Sequence, residues 1–264
     1  MATNIHPTAL IESGAEIGDN VTIGPYCTIG ANVKIGDRTS LKSHVVVDGH
    51  TTIGQDNKIF PFVALGLDPQ HTQYQGEEST LVIGDRNTLR EQVTMHSGTS
   101  IGIMTTTIGN DCLFLAGSHV AHDCVVGNNV IMINESLIGG HVTLGDYVYI
   151  GANSGVKQWM RIGKHAMVSS MTGVMADIIP YGNVFGTRGE LVGLNLIGLK
   201  RRGFDKDTIT TIRRAYRMLF AMEGTFVERL EEVKRLYGDI GIVAEMLQFI
   251  DEGGDNPLCH PTKG

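Results

Sequence analysis

From Ile5 onward an aliphatic side chain returns at every sixth position: Ile5, Ile11, Ile17, Ile23, Ile29, Ile35, Leu41, Val47, Ile53, Ile59 and Leu65. The rhythm resumes at Ile83, Leu89 and Met95, then runs unbroken from Ile108 to Val174, giving 26 repeats. A period of six matches neither the 3.6-residue helix nor the two-residue alternation of a strand, so it describes a short strand plus a corner, repeated. Three hexads close one triangular coil of 18 residues. The predicted fold is mainly β, a parallel β-helix whose roughly nine coils, stacked about 4.8 Å apart, make a rod on the order of 40 Å long.

A second inward position follows four residues after each aliphatic: Ala9, Ala15, Val21, Cys27, Val33, Thr39, Val45, Thr51 and Val63. The aliphatic fills the axis and the smaller residue packs beside the corner, so each coil is completed only by its neighbours. Gly18, Gly24, Gly36, Gly109 and Gly127 follow directly after the aliphatic, where the chain is expected to turn and a Cβ to be costly. Residues 66–82 and 97–107 break the rhythm and read as loops expelled from the prism. In solenoids such insertions gather at the binding face, and the competing reading is that they merely decorate a corner.

The β-helix is expected to occupy residues 1–186, because past Pro180 the pattern turns helical, with an α-helical C-terminal domain over 187–264. Residues from about 190 to 203 end in LKRRGF, with Gly203 as a stop. Asp205 then caps a stretch whose Ile209, Ile212, Tyr216, Leu219 and Phe220 form one apolar stripe. Further helices are expected from Thr225 to Leu236 and from Ile240 to Ile250, and the last dozen residues, rich in Gly, Asp and Pro, read as frayed.

With 264 residues and 42% hydrophobic content the chain buries a sizeable core. No apolar run reaches the roughly 18 residues a membrane span needs, and the polar N-terminus lacks the blocks of a signal peptide, so a cytoplasmic protein is expected. Cys27, Cys112 and Cys124 fall at the small inward position and read as core thiols, and no CxxC zinc spacing exists. The net charge is −7, yet residues 200–217 carry Lys200, Arg201, Arg202, Lys206, Arg213, Arg214 and Arg217 against Asp205 and Asp207 alone. That cluster is either a solvated helix face or a landing site for an anionic partner. Nucleic acid is not expected, since the rest of the chain is acidic and no nucleic-acid module is visible.

The candidate chemistry lies in SHVAHDCVVG, residues 118–127. His122 stands two residues after the inward Val120. Gly140 and Gln158 follow at intervals of 18, so the three are expected in one column, a coil apart. A histidine beside a glycine with an accessible N–H suits a general base and an oxyanion donor for acyl transfer. Asp123 is suited to orient the imidazole, and His119 and His141 to surround the pocket. The competing reading is a set of surface histidines, since the chain has ten and His6, His44, His50 and His165 also fall along the repeats.

The segments LKSHVVVDGHTTIG, IGDRNTLREQVTMHSGT, SHVAHDCVVGNN, GGHVTLGD and GLNLIGLKRRGF closely resemble the UDP-N-acetylglucosamine 3-O-acyltransferase family, which begins lipid A biosynthesis in Gram-negative bacteria. The resemblance spans nearly the whole chain. It implies a left-handed β-helix, a homotrimer with active sites between neighbouring prisms, a 3-hydroxyacyl donor carried as a thioester on acyl carrier protein, and no metal or other cofactor. It further implies His122 as general base, Asp123 as its orienting carboxylate and Gly140 as the oxyanion amide. His96, His119 and His141 then belong to the sugar pocket, Gln158, Asn195, Arg201 and Arg202 to the nucleotide and its phosphates, and the basic helical region to carrier docking. Ser170, with Met171 beside it, stands at the position that measures the acyl chain, where serine implies a medium-length donor.

Several residues depart from the family pattern. The first expelled loop usually reads PQDLKYxGE, but here His71 and Gln73 replace its acidic and basic residues. Lys157 replaces the histidine of a VHQF motif, and Ile197 replaces a glutamate before LKRR. These changes bear on the UDP-amino-sugar acceptor, and the alternative they raise is a 3-amino sugar acylated to an amide. Two more distant alternatives are a γ-type carbonic anhydrase, which binds zinc through three differently spaced histidines, and a non-catalytic rod.

Overall fold

Every one of the 26 aliphatic positions lies in its own strand, from Asn4–Ile5 to Gly173–Val174, in a computed structural model that describes residues 3–253 and 256–261. Most of these strands are two residues long and pair in parallel with the strand one coil away. They stack into three sheets, the faces of a triangular rod. The first begins with Asn4–Ile5, the second with Leu10–Ile11 and the third with Glu16–Ile17. Ile23, Ile29, Ile35, Leu65, Val120, Ile138 and Val156 are buried along the axis, and Val21, Val33, Val45 and Val63 beside the corners. Each such side chain contributes on the order of 2 kcal/mol, gained only where a neighbouring coil covers it.

The corner works differently from the sequence expectation. The residue in the left-handed region is three positions after the aliphatic, as at Asn20, Arg38, Asp123, Asn129, His141 and Trp159, and it is glycine at few corners, such as Gly14 and Gly117. The glycine just after the aliphatic answers instead to close stacking: a Cβ at Gly36 would lie 2.6 Å from the backbone carbon of Gly54 in the next coil. The expelled segments are also shorter than expected. Thr80–Ile83 and Thr105–Ile108 are strands paired with each other in the third sheet, and Ala64–Leu67 extends the second. What leaves the rod is residues 68–79 and 97–104.

At the end of the rod Gly182–Phe185 continues the first sheet, and Glu190–Leu194 folds back antiparallel on it. Residues 190–194 are therefore strand, and helix α1 begins only at Leu196 (Leu196–Arg201), capped by the Asn195 side chain. Asp205 caps α2 (Lys206–Leu219), Thr225 and Glu228 form a reciprocal capping box on α3 (Phe226–Tyr237), and α4 (Gly241–Asp251) follows. Helix α4 packs on the last coils. Arg161 lies over the Phe249 ring and also pairs with Asp177, and Glu245 takes Lys164 and the Tyr181 hydroxyl.

The tail expected to fray is docked over its described part. Cys259 is buried, its N–H donates to the Asp177 carbonyl and its thiol to the Gly189 carbonyl, while Asn256 donates to the Trp159 carbonyl at 2.7 Å. Residues 254–255 and 262–264 of that expectation lie outside the described residues. Cys27, Cys112, Cys124 and Cys259 are all free and buried. Among the described residues no helix is long and apolar enough to cross a membrane.

Candidate active site

The parallel register pairs Val120 with Ile138 and Ile138 with Val156, which puts His122, Gly140 and Gln158 one coil apart at the corner leading from the second sheet to the third. His122 lies directly against the glycine: a Cβ at Gly140 would sit 2.6 Å from His122 Nε2, so any larger residue there would collide with the ring. His122 Nδ1 is 2.8 Å from Asp123 Oδ2, and both side chains are almost wholly buried. Since the carboxylate accepts, Nδ1 donates and Nε2 keeps its lone pair.

The Gly140 amide is aimed by the peptide it belongs to. The Gly139 carbonyl accepts a bond from the Cys124 thiol at 3.1 Å, directed into the coil. In a planar trans peptide the N–H of the following residue points the opposite way. The Gly140 N–H has no hydrogen-bond partner among the described residues and sits beside His122. Burial pushes the Cys124 thiol up to about 12, which keeps it a neutral donor.

A second column stands one residue further on. Asp123, His141 and Trp159 occupy the same phase, and His141 stacks on Trp159 with centroids 3.6 Å apart and planes 7° from parallel. His141 and His71 each approach the His122 ring edge-on, at 4.9 and 5.1 Å. His119 Nδ1 bonds the Thr94 hydroxyl at 2.8 Å and its ring meets His96 edge-on at 5.1 Å. Burial, reinforced by the neighbouring imidazoles, lowers His119 to about 4. His96 and His141 are also lowered, chiefly by burial. His96, His119 and His141 are thus biased toward the neutral form.

Two residues of this corner escaped the sequence reading. Trp159 was within reach, since it lies 18 residues after His141 and 36 after Asp123. Thr99 was not. It sits in the second expelled segment, where no repeat phase locates it, yet its N–H and hydroxyl both bond the Asp123 carboxylate. His122, Asp123 and His141 bring metal-ligand atoms within 4.8 Å of one another. The Asp123 oxygens are already engaged by Thr99 and His122, which makes the trio an orienting network.

The remaining candidate residues are spread more widely. Lys157 and Gln158 are exposed beside the corner, and Gln73 is exposed with its N–H on His71 Nδ1 at 3.2 Å. Asn195, Arg201 and Arg202 line a cavity of about 700 Å³ on the outer face of the first sheet, with Tyr149, Met167 and Ile197. Arg202 lies over the Tyr147 ring and bonds its carbonyl, while Nη1 is buried without a partner among the described residues. Ser170 and Met171 are exposed at the corner between the first and second sheets, a different edge from His122.

The comparisons agree along the whole length. Residues 177–257 match the family described as UDP N-acetylglucosamine O-acyltransferase, domain 2, and residues 14–49 and 105–132 match the bacterial transferase hexapeptide. Acyl-[acyl-carrier-protein]--UDP-N-acetylglucosamine O-acyltransferases of Sinorhizobium fredii and Caulobacter vibrioides are 44% and 46% identical, over 100% and 98% of this chain and 97% and 99% of their own. The crystal structure of the Francisella novicida UDP-N-acetylglucosamine acyltransferase superposes with a TM-score of 0.94 at 35% identity, covering 98% of this chain and 95% of that one. The fold is accordingly a left-handed parallel β-helix with a helical C-terminus. The chain belongs to the acyl-[acyl-carrier-protein]--UDP-N-acetylglucosamine O-acyltransferase family.

Proposed function

We propose that the corner carrying His122 transfers a 3-hydroxyacyl chain from acyl carrier protein to the 3-hydroxyl of UDP-N-acetylglucosamine, the first step of lipid A biosynthesis. The observation that carries this reading is the His122 ring, oriented by Asp123, lying against a Gly140 amide that no group among the described residues occupies. His122 Nε2 takes the proton from the sugar hydroxyl as its oxygen attacks the thioester carbonyl. Gly140 N–H stabilises the tetrahedral oxyanion, and His122 returns the proton to the departing carrier thiolate. Asp123 holds the tautomer and balances the imidazolium. The relatives carry the O-acyltransferase name, so the amide-forming alternative is not favoured.

The active unit in this reading is a homotrimer. The base, the arginine-lined cavity and Ser170 occupy different edges or faces of one rod, so a single site containing all three draws on more than one chain. A cyclic trimer joins two different surfaces at each interface and brings such edges together three times. His71, Gln73, His96, His119 and His141 then surround the sugar, with Lys157 and Gln158 beside it. Asn195, Arg201 and Arg202 of the neighbouring chain take the nucleotide, the open Nη1 of Arg202 suiting a phosphate oxygen. Ser170 and Met171 end the acyl groove, and Arg213 and Arg214 steer the acidic carrier protein. Four free buried thiols are consistent with a reducing compartment, so we place the protein in the cytoplasm.

Incubating the chain with 3-hydroxyacyl carrier proteins of several lengths and UDP-N-acetylglucosamine, followed by mass spectrometry, tests the reading. An alkali-labile monoacyl ester is expected. No transfer to this sugar from any donor would refute it.

A further inference from the structure

We propose that residues 97–104 form a strap that positions the catalytic pair, with Thr99 holding Asp123 on His122. The proposal rests on the acyl-transfer reading above and extends it to a residue outside the prism.

A carboxylate as buried as that of Asp123 requires donors. The repeat supplies one, His122 Nδ1. The strap supplies the rest: Thr99 N–H reaches both oxygens at 3.1 Å, and the Thr99 hydroxyl reaches Oδ2 at 2.5 Å, the same oxygen that accepts His122. The strap lies directly on the carboxylate, because a Cβ at Gly102 would sit 2.5 Å from Asp123 Oδ2. There is also a competitor. His141 Nδ1 stands 3.8 Å from Oδ2, so a carboxylate released by Thr99 is free to turn from His122 toward His141.

The strap is anchored from outside by the other expelled segment. Glu77 accepts from the Ser100 N–H and the Gln75 N–H, each at 2.9 Å, through its two oxygens. These backbone bonds, with Ser100 foremost, hold the Glu77 carboxyl down at about 2, so the anchor stays ionised wherever the enzyme works. Both insertions of the repeat thereby converge on Asp123. That role explains why the second segment leaves the rod immediately before the coil carrying the base.

The test uses the full chain with Thr99→Val, which keeps shape and the N–H but removes the hydroxyl, and Thr99→Ser, which restores it. Thr99→Val is expected to lower kcat about tenfold with the KM of both substrates nearly unchanged, the signature of lost orientation. It should also move the acid limb of the kcat–pH profile downward. With the carboxylate free to turn toward His141, less of its charge meets the His122 imidazolium, while the other groups facing His122, namely His71, His96, His119 and His141, are unchanged. Thr99→Ser should recover both. Unchanged kcat and acid limb in Thr99→Val, or a serine variant no better than valine, would overturn the strap. His122→Ala run alongside separates the two ideas: if it stays active the acyl-transfer reading itself fails, whereas an inactive His122→Ala beside a normal Thr99→Val refutes only the strap.

Discussion

Two edges of one rod use the same backbone for opposite ends. At the corner from the third sheet to the first, the second residue after the aliphatic is usually Asp or Asn, and its side chain caps the amide of the coil before. Asp37 caps Asp19, Asp85 caps Gln55, Asn110 caps Asp85, Asn128 caps Asn110 and Asp146 caps Asn128, at 2.6–2.9 Å. Arg38–Asp56 and Arg86–Asp111 pairs reinforce the next position. At the corner from the second sheet to the third, the same position holds His122, Gly140 and Gln158, and no described residue caps the Gly140 amide. The left-handed residue that follows is alike in both, φ 57° at Asn129 and 62° at His141. The side chains alone separate a sealed seam from an open one: the corner proposed as the active site is a place where the ladder was left open.

The largest expected effects come from closing or emptying that corner. His122→Ala should reduce kcat at least roughly a hundredfold while leaving assembly intact, as removal of a positioned general base does. Gly140→Ala should bring a loss of about a hundredfold or more, because its methyl group displaces the imidazole from the oxyanion amide. Steady-state kinetics with circular dichroism and sedimentation as controls read both. Native-like activity in a folded variant would remove that residue from the mechanism.

On the sealed edge the outcome should invert. Asn128→Ala leaves the Asn110 amide without its cap and should lower stability by about 1–2 kcal/mol in denaturant titration, with kcat unchanged. A loss of activity beyond the loss of folded protein would erase the contrast between the edges.

Acid provides a graded test. His119 and His165 are each held near 4 in the folded chain, mainly by burial, against an ordinary value of 6.5. The unfolded chain therefore binds their protons first as pH falls. Their contribution to stability is complete above about pH 6.5 and is lost on descending through about 4. The melting temperature should decline across that window, and less steeply in His165→Phe. A flat profile would show that these rings do not titrate on unfolding.

The smallest effects belong to the edges remote from the base. Ser170→Gly should favour longer acyl donors and Ser170→Met shorter ones. Because each buried methylene is worth about 0.8 kcal/mol, competition between donors should shift product ratios severalfold. Identical ratios in all three proteins would mean the chain ends elsewhere.

The rod was legible in the sequence because inward side chains recur at a fixed spacing, and the column of His122, Gly140 and Gln158 followed from that phase. Whatever leaves the phase was not legible. Thr99 is located by the path of an expelled segment, which no periodicity records. Glu190–Leu194 pairs with the end of the first sheet although its apolar residues read as part of a helical stretch. The docking of Cys259 depends on a groove that exists only once the last coil is built. Glycine at the corners was half legible, since its Cβ position is crowded as expected, by stacking, while the left-handed turn falls two residues later.

The central claim is that the open corner of one chain works with the arginines of another, and mixing inactive chains tests it most directly. His122→Ala and the Arg201→Ala, Arg202→Ala pair should each be nearly inactive alone at low acceptor concentration. Refolded together in equal amounts as random trimers, they should regain about a quarter of wild-type activity, the fraction of interfaces at which an intact base meets intact arginines in the direction a cyclic interface requires. No recovery, from mixed trimers verified by native mass spectrometry, would contradict a site shared between chains.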